Sequence, residues 1–460
     1  MKRTLLFTAA LLCFGAGLNA QDTEDAVQYN QYGVKVDIDP LLTEAQDGIL
    51  VFRSKDSGYK LWLDNRVQSD AAVFFGESDY ADKIGNGVSI RRARFAVKTQ
   101  VAKDWNGEID MDMANGVFEL KDAIIRYDGI KNMQIQAGNF KEFFSIQRNN
   151  SSRYLQFMER PMIAQALAPS RHLGVNVNWY KNSLWLSGGM FFQTIDNLET
   201  RTFVEDANKD FGAGAGRSYT GKIVYMPGWD KTDWGMHIAL AGSYRTPKAD
   251  DEAVATTGVP SVRFSTRSSN SINRKKYIDT DEIKNVDHDL LYTAEYAGYW
   301  KGLRWEAVYM ADDNYVIDAA KPSHLWGWYA QAGWLLFGGR QRYDAAGAKF
   351  TRPSRGQKWG DLELCARYEF IDFNGLQSGP AGAAEAYAAG LNYYINDHVK
   401  FMINYQYNNQ DRYCNGKGNK LYCGLDETGK ATKDFTKVAA PAGKGGVDYS
   451  MVSFRMEIDF

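Results

Sequence analysis

The feature that most constrains this chain is a period of two. Segment after segment places apolar residues at every second position and polar or charged residues between them. Successive side chains of a strand point to opposite faces, so the pattern predicts strands that are greasy on one side and polar on the other. Across 235–245, Met236, Ile238, Leu240 and Tyr244 oppose His237, Ala239, Ser243 and Arg245. Across 361–370, Leu362, Leu364, Ala366, Tyr368 and Phe370 oppose Glu363, Cys365, Arg367 and Glu369. Across 399–407, Val399, Phe401, Ile403, Tyr405 and Tyr407 oppose Lys400, Asn404 and Gln406. The last segment sets Val452, Phe454, Met456, Ile458 and Phe460 against Ser453, Arg455, Glu457 and Asp459.

Sixteen such segments begin near Lys60, Ser89, Asn106, Lys121, Met133, Gly174, Leu184, Tyr219, Gly235, Asp289, Leu303, Leu325, Asp361, Ala386, Val399 and Asp448. A β-sandwich also alternates, but its strands are usually shorter and rarely so aromatic. Here aromatics reach 14% and prolines number only 10, which suits uninterrupted strands with interfacial aromatic girdles. Short turns at 102–104, 128–131, 180–183, 300–302 and 396–398 fall between long connections at 140–171, 194–217, 246–287, 311–323, 371–385 and 408–446. That asymmetry and an even strand number define an all-β fold, a transmembrane antiparallel β-barrel. The connection 338–359 is long on the short-turn side and breaks the scheme.

Residues 1–20 read as a signal peptide. Lys2 and Arg3 precede an apolar run from Leu5 to Phe14, and Leu18-Asn19-Ala20 offers a cleavage site. Cys13 lies within that run, and Leu12 stands before it where lipidation wants a small residue. Beyond the signal, no apolar run approaches the roughly 20 residues of a spanning helix. Residues 21–57 lack a clear period and are expected to be a periplasmic segment, with the barrel occupying 58–460 and Phe460 closing its last strand. Cys414 and Cys423 flank one loop and could bridge in an oxidising compartment, while Cys365 reads as a small strand residue. No metal spacing, Walker loop or serine-hydrolase motif appears, and no cofactor or nucleic-acid partner is expected. A barrel hydrolase would need a nucleophile and base on a lipid-facing strand, and the one histidine inside a clear strand, His237, faces inward.

The charges are informative where they cluster. Along 89–100, Arg92, Arg94, Lys98 and Gln100 share the polar face. Arg91 falls on the apolar face, relieved by rim exposure at the strand start. Anions in a lumen could balance this stripe, and so could Glu108, Asp110 and Asp112 of the next strand. The connection 140–171 carries Lys141, Arg148, Arg153, Arg160 and Arg171 against Glu142 and Glu159, a balance of +3. Within it 153–167 reads as partly helical, with Tyr154, Phe157, Met158 and Ile163 on one side. An apolar loop face needs a partner, so this third loop is expected to fold into the lumen. The connection 246–287 adds Lys248, Arg263, Arg267, Arg274, Lys275 and Lys276, read as a solvated extracellular face.

Taken in order, Ile90-Arg91-Arg92-Ala93-Arg94, Asp104-Trp105, Leu120-Lys121-Asp122-Ala123, Gly138-Asn139-Phe140, Ser151-Ser152-Arg153-Tyr154 and Glu159-Arg160 carry a likeness. It continues through Tyr329-Ala330-Gln331, Gly347-Ala348-Lys349-Phe350, Arg367-Tyr368 and the final strand. With order and spacing intact over most of the chain, the sequence resembles the phosphate-selective porin O and P family. The resemblance implies a sixteen-stranded, usually trimeric outer-membrane barrel that passes small anions such as phosphate or polyphosphate by diffusion. It places the family's constriction arginines on Arg91 and Arg92, two loop lysines on Arg148 and Arg153, a first-strand arginine on Arg66, and an extracellular arginine ladder on Arg245, Arg263 and Arg267. The sequence departs from that pattern in having Lys121 in place of an aspartate, Arg94 and Lys141 in place of tyrosines, and Asp312-Asp313 in place of a basic pair. Positive charge is thereby raised at the constriction, and organic acids join phosphates as candidate solutes, since an arginine fork fits either. A general diffusion pore, or an adhesin or receptor using its long loops, is the alternative reading.

Overall fold

The structure is a computed structural model that describes residues 28–36, 40–46, 48–77, 83–192, 213–214, 216–231, 233–247, 249–250, 260–410, 424–439 and 446–460. The expected leader, Cys414 and Cys423 lie outside these residues. Sixteen long strands close into one antiparallel barrel: β1 Lys60–Phe75, β2 Gly87–Val101, β3 Trp105–Asp112, β4 Glu119–Tyr127, β5 Met133–Lys141, β6 Arg171–Lys181, β7 Leu184–Phe191 and β8 Arg217–Tyr225, then β9 Trp234–Thr246, β10 Val286–Trp300, β11 Leu303–Val316, β12 Ser323–Leu335, β13 Asp361–Gly375, β14 Ala383–Tyr394, β15 Val399–Gln410 and β16 Val447–Asp459. Each pairs with its sequence neighbour, and β16 returns to β1 from Ser450↔Phe75 to Asp459↔Arg66. Closure pairs each of these sixteen strands on both sides, the condition for crossing a bilayer with strands.

The alternation sorts side chains as the sequence implied. On β9, His237, Ala239, Ala241 and Ser243 are buried while Ile238, Leu240 and Tyr244 are exposed. On β16, Ser453, Arg455, Glu457 and Asp459 point inward. Exposed Tyr225, Trp234, Trp300 and Trp334 stand at strand ends on the short-turn side, and Tyr219, Tyr244 and Tyr292 near the opposite ends. These are two aromatic girdles at the two membrane interfaces.

Below Asn65, β1 runs past the end of β16. A hairpin of Leu42–Gln46 and Ile49–Arg53 covers that stretch, pairing Val51↔Trp62 and Arg53↔Lys60. The segment 21–57, read as lacking a period, thus contributes two short strands whose five residues each carry too little alternation to show. The backbone of Phe460 continues the ladder against Asn65, at 2.7 and 3.2 Å.

Three inserts enter the bore. The third loop, 142–170, folds inward as expected, with short helical turns at Ile146–Asn149, Ser152–Tyr154 and Met162–Ala166. Its Phe144, Ile146, Met162, Ile163 and Leu167 pack into one apolar core with Leu291, Met310, Leu325, Ile371 and Phe373 of the inner wall. Each fully buried aliphatic or aromatic side chain contributes about 1.5–3 kcal/mol, so the loop is held firmly. The fifth loop also enters, against the expectation of a solvated face. Ser269 donates to Glu369 at 3.0 Å, Ser271 to Asp70 at 2.8 Å and Gln410 to Ser268 at 2.9 Å. Its Val262, Phe264, Ile278 and Ile283 join the same core, and these apolar residues among the cations explain the inward fold. The turn 336–360, the exception among the short connections, rises into the barrel from the other side. There the Trp185 indole donates to the Ala346 carbonyl at 2.9 Å, and Tyr343 meets His237 at 2.7 Å. The strand count is intact because this long connection is a folded insert.

Candidate functional site

The inward charges of β10–β16 hold the third loop. Glu295 accepts from the Ile146 N–H at 2.7 Å, Gln156 donates to Glu363 at 2.8 Å, and Asn404 accepts from the Met158 N–H at 2.9 Å. Arg367 donates to the Glu159 carbonyl at 2.9 Å, and Lys400 to the Arg153 carbonyl at 2.7 Å. Loop backbone groups removed from water need partners, and one half of the wall provides them. The passage is left to the other half, along β1–β5.

There, cavities of about 370 and 440 Å³ follow one another from the long-loop side, and the second meets one of about 910 Å³ on the short-turn side that is lined mostly by the turn 336–360. The first two share Arg94, Lys141, Ser152 and Arg171. The last two share Asp64, Lys98, Arg153, Asp344 and Lys349. The upper cavity is the most basic. Arg91, Arg92, Arg94, Lys121, Lys141, Arg148, Arg160, Arg171 and Arg274 line it, against Asp112, Glu119 and Glu159.

Two β-bulges build this density. The β1–β2 register steps from Gln68↔Arg92 to Ser69↔Ile90, leaving Arg91 as an extra residue. A bulge puts two consecutive side chains on one face, so both arginines reach the lumen. Arg91 therefore does not occupy the wrong face at a rim. Likewise the β3–β4 register steps from Asp110↔Asp122 to Met111↔Leu120, and Lys121 is the extra residue.

The cations differ in how far they are neutralised. Arg94 pairs with Asp110 at 2.9 Å and Asp112 at 3.3 Å, and Lys98 with Asp64 at 2.7 Å and Glu108 at 3.5 Å. The carboxylates of the neighbouring strand thus balance these two stripe members. Arg171 forks Asp122 at 2.8 and 2.6 Å, and Lys121 pairs with Glu119. Arg91 forks Glu159 at 2.5 and 3.1 Å, while Arg92 donates to Gln68 at 2.6 Å and stays 4.0 Å from Glu159. Arg148 donates to the carbonyls of Ala168 and Gln165, and Arg160 to those of Gln147 and Asn150. Among the described residues neither has a carboxylate within ion-pair distance. Burial works against a charge on Glu159, but Arg91, Arg92 and Arg455 outweigh it and hold the carboxyl below its ordinary range.

Of the other residues expected here, Arg66 and Arg153 line the middle cavity. Arg153 is bound to Asp64 and lies 3.1 Å from Asp459. Arg245 stands apart, 3.0 Å from Glu142 at the root of the third loop. Arg263 is 42% exposed and forked onto Asp279 at 2.9 and 2.7 Å, so it does not join Arg245 in a ladder into the bore. Arg267 is partly buried near Arg274 and Arg91. Arg160, Arg171 and Arg274 were not singled out from the sequence. The first two stood in the basic loop, but Arg274 had no signal separating it from a solvated charge run. Carboxylate oxygens of Glu108, Asp110 and Asp122 lie within 4.8 Å of one another, yet Lys98, Arg94 and Arg171 already balance them, which disfavours a metal there.

A closed barrel with aromatic girdles, its bore narrowed by an inward loop to a charged passage, is an outer-membrane porin. The chain belongs to the phosphate-selective porin O and P family, whose sequence profile matches residues 62–423. It is similar to Porin O of Pseudomonas aeruginosa, 24% identical over 406 residues, spanning 81% of this chain and 88% of that protein. An uncharacterised protein of Caulobacter vibrioides is 25% identical over 367 residues, 77% of this chain and 69% of its own length. Among solved structures, the trimer form of OmpT from Vibrio cholerae matches with a TM-score of 0.49 at 10% identity, covering 88% of this chain and 100% of that one.

Proposed function

We propose that this porin passes small anions, phosphate or polyphosphate among them, through the basic passage along β1–β5. The observation that carries the reading is the upper cavity, with nine cationic side chains against three acidic ones. Low-dielectric walls focus that surplus, raise the local anion concentration and replace part of a hydration shell. Among the described residues Arg148 and Arg160 have only carbonyl acceptors, and Arg92 has Gln68 with Glu159 at 4.0 Å. Their remaining donors suit an oxyanion. Alternating ion pairs below, from Arg94 to Lys98 and Arg153, offer successive weak sites, so that an anion is released as well as bound. The family resemblance supports a homotrimer as the working assembly, set in outer-membrane lipid, and a leader cleaved near Ala20 for export.

The reading is tested by chloride conductance through purified channels in a planar bilayer with phosphate added to one side. Saturable inhibition by phosphate is expected, and it should weaken in Arg92→Ala. Chloride current indifferent to phosphate would favour a general diffusion pore.

A further inference from the structure

On the wall opposite the passage, β10 and β11 present a second group of charged side chains that the conduit does not use. Asp289 lies directly across the ladder from Asn314, and Asp312 follows on the same inward face. Asp289 is 3% exposed, and Asp312 and Asn314 are 0% exposed. The Asp289 and Asp312 carboxyls are within hydrogen-bonding reach of each other. The cation beside them is Arg245, 4.0 Å from Asp289, and it is shared with Glu142 at 3.0 Å. His172 meets Glu142 from the other side at 2.7 Å. Among the described residues, three carboxylates thus share one guanidinium, with His288 also near Asp289. Two carboxylates cannot donate to one another, and among the described residues neither oxygen of Asp312 has a hydrogen-bond donor, nor has the amide of Asn314 a partner.

Buried negative charge in excess of its counter-charge is costly, and so is an amide oxygen without a partner. One positive ion would answer both, leaving the Asn314 amide nitrogen outside the coordination. The donors are oxygens, two carboxylates and one amide, which select a hard cation over the softer transition metals. Carboxylates free to bind through one or both oxygens suit the adaptable shell of calcium better than the strict octahedron of magnesium. We infer that Asp289, Asp312 and Asn314 form a site for a hard divalent cation of the calcium type, joining β10 to β11 beneath the fifth loop. That loop covers the site, since its Ile283, with Val262 packed against it, shares a core with Val286 and Leu291 of β10.

The test is calorimetric titration of the folded, chelator-treated porin in detergent with calcium chloride, together with its thermal unfolding midpoint. Calcium is expected to bind and to raise the midpoint. Asp312→Asn should weaken binding roughly tenfold or more, because ligand charge sets affinity at such sites. Asp313→Asn, on the outward face, should leave binding as it was. If Asp312→Asn does not fold, Asn314→Ala takes its place, with weaker binding again expected. Binding that these inward variants leave unchanged would overturn the site, and so would a midpoint indifferent to calcium. A midpoint that rises on acidification alone would mean that the two carboxyls share a proton instead.

Discussion

The Arg91 guanidinium is forked onto the Glu159 carboxylate, Nε to Oε1 at 2.5 Å and Nη2 to Oε2 at 3.1 Å. Arg455, itself forked onto Asp70 at 2.7 Å, also reaches Glu159 at 3.1 Å. The third loop thus places its own carboxylate on an arginine that would otherwise face passing anions. Removing that charge should strengthen anion preference. Glu159→Gln is expected to raise the anion-to-cation permeability ratio about twofold or more, since focusing acts on every added charge. An unchanged or lowered ratio would show that the pair only fixes the loop.

The same carboxylate sets a pH dependence. Its acid strength is raised in the folded protein, so its stabilising ion pairs are fully present above the ordinary glutamate range. They are lost only as pH falls through the lower, folded value. The ratio of the selectivities of the unmodified porin and Glu159→Gln should therefore be the same at about pH 7 and about pH 5. A gain in anion preference over that interval that is absent from Glu159→Gln would mean that Glu159 takes up a proton within it.

Arg274 and Arg263 come from the same loop but differ in place. Arg274 lines the upper cavity, whereas Arg263 is exposed and bound to Asp279. Arg274→Ala should lower anion preference measurably, and Arg263→Ala should leave it within error. Equal effects would place the fifth loop outside the conduction path.

Glu295 connects two of the inserts. It accepts from the third loop at Ile146 and meets His237 at 3.0 Å, whose other nitrogen meets Tyr343 of the turn 336–360 at 2.7 Å. It is also the counter-charge of buried Lys222 at 2.5 Å. Glu295→Gln strands that ammonium and should cost about 3–5 kcal/mol, read as a lowered thermal midpoint. Pairing it with Lys222→Met should recover part of the loss. No recovery would assign the cost to the loop contact instead.

Much of the barrel was legible because each strand carries its own inside and outside. The sixteen segments start within three residues of the observed strands, and the inward course of the third loop followed from Phe157, Met158 and Ile163 needing cover. What escaped depends on neighbours the sequence does not name. Whether Arg91 faces lipid or lumen is decided by the register of β1 against β2. Arg274 reads as solvated until the apolar residues of the same loop are seen packed on β10–β14. That inward charges such as Glu295, Arg304, Arg367, Glu369, Lys400 and Arg455 bind the backbone of the third loop could not be read from alternation alone.

The central claim is that the passage along β1–β5 favours negative ions, and the reversal potential across a salt gradient tests it most directly. Purified channels in a potassium chloride gradient should show a potential of the sign for chloride permeating faster than potassium, and Arg92→Ala should bring it closer to zero. A potential of the opposite sign in the unmodified porin would contradict the account.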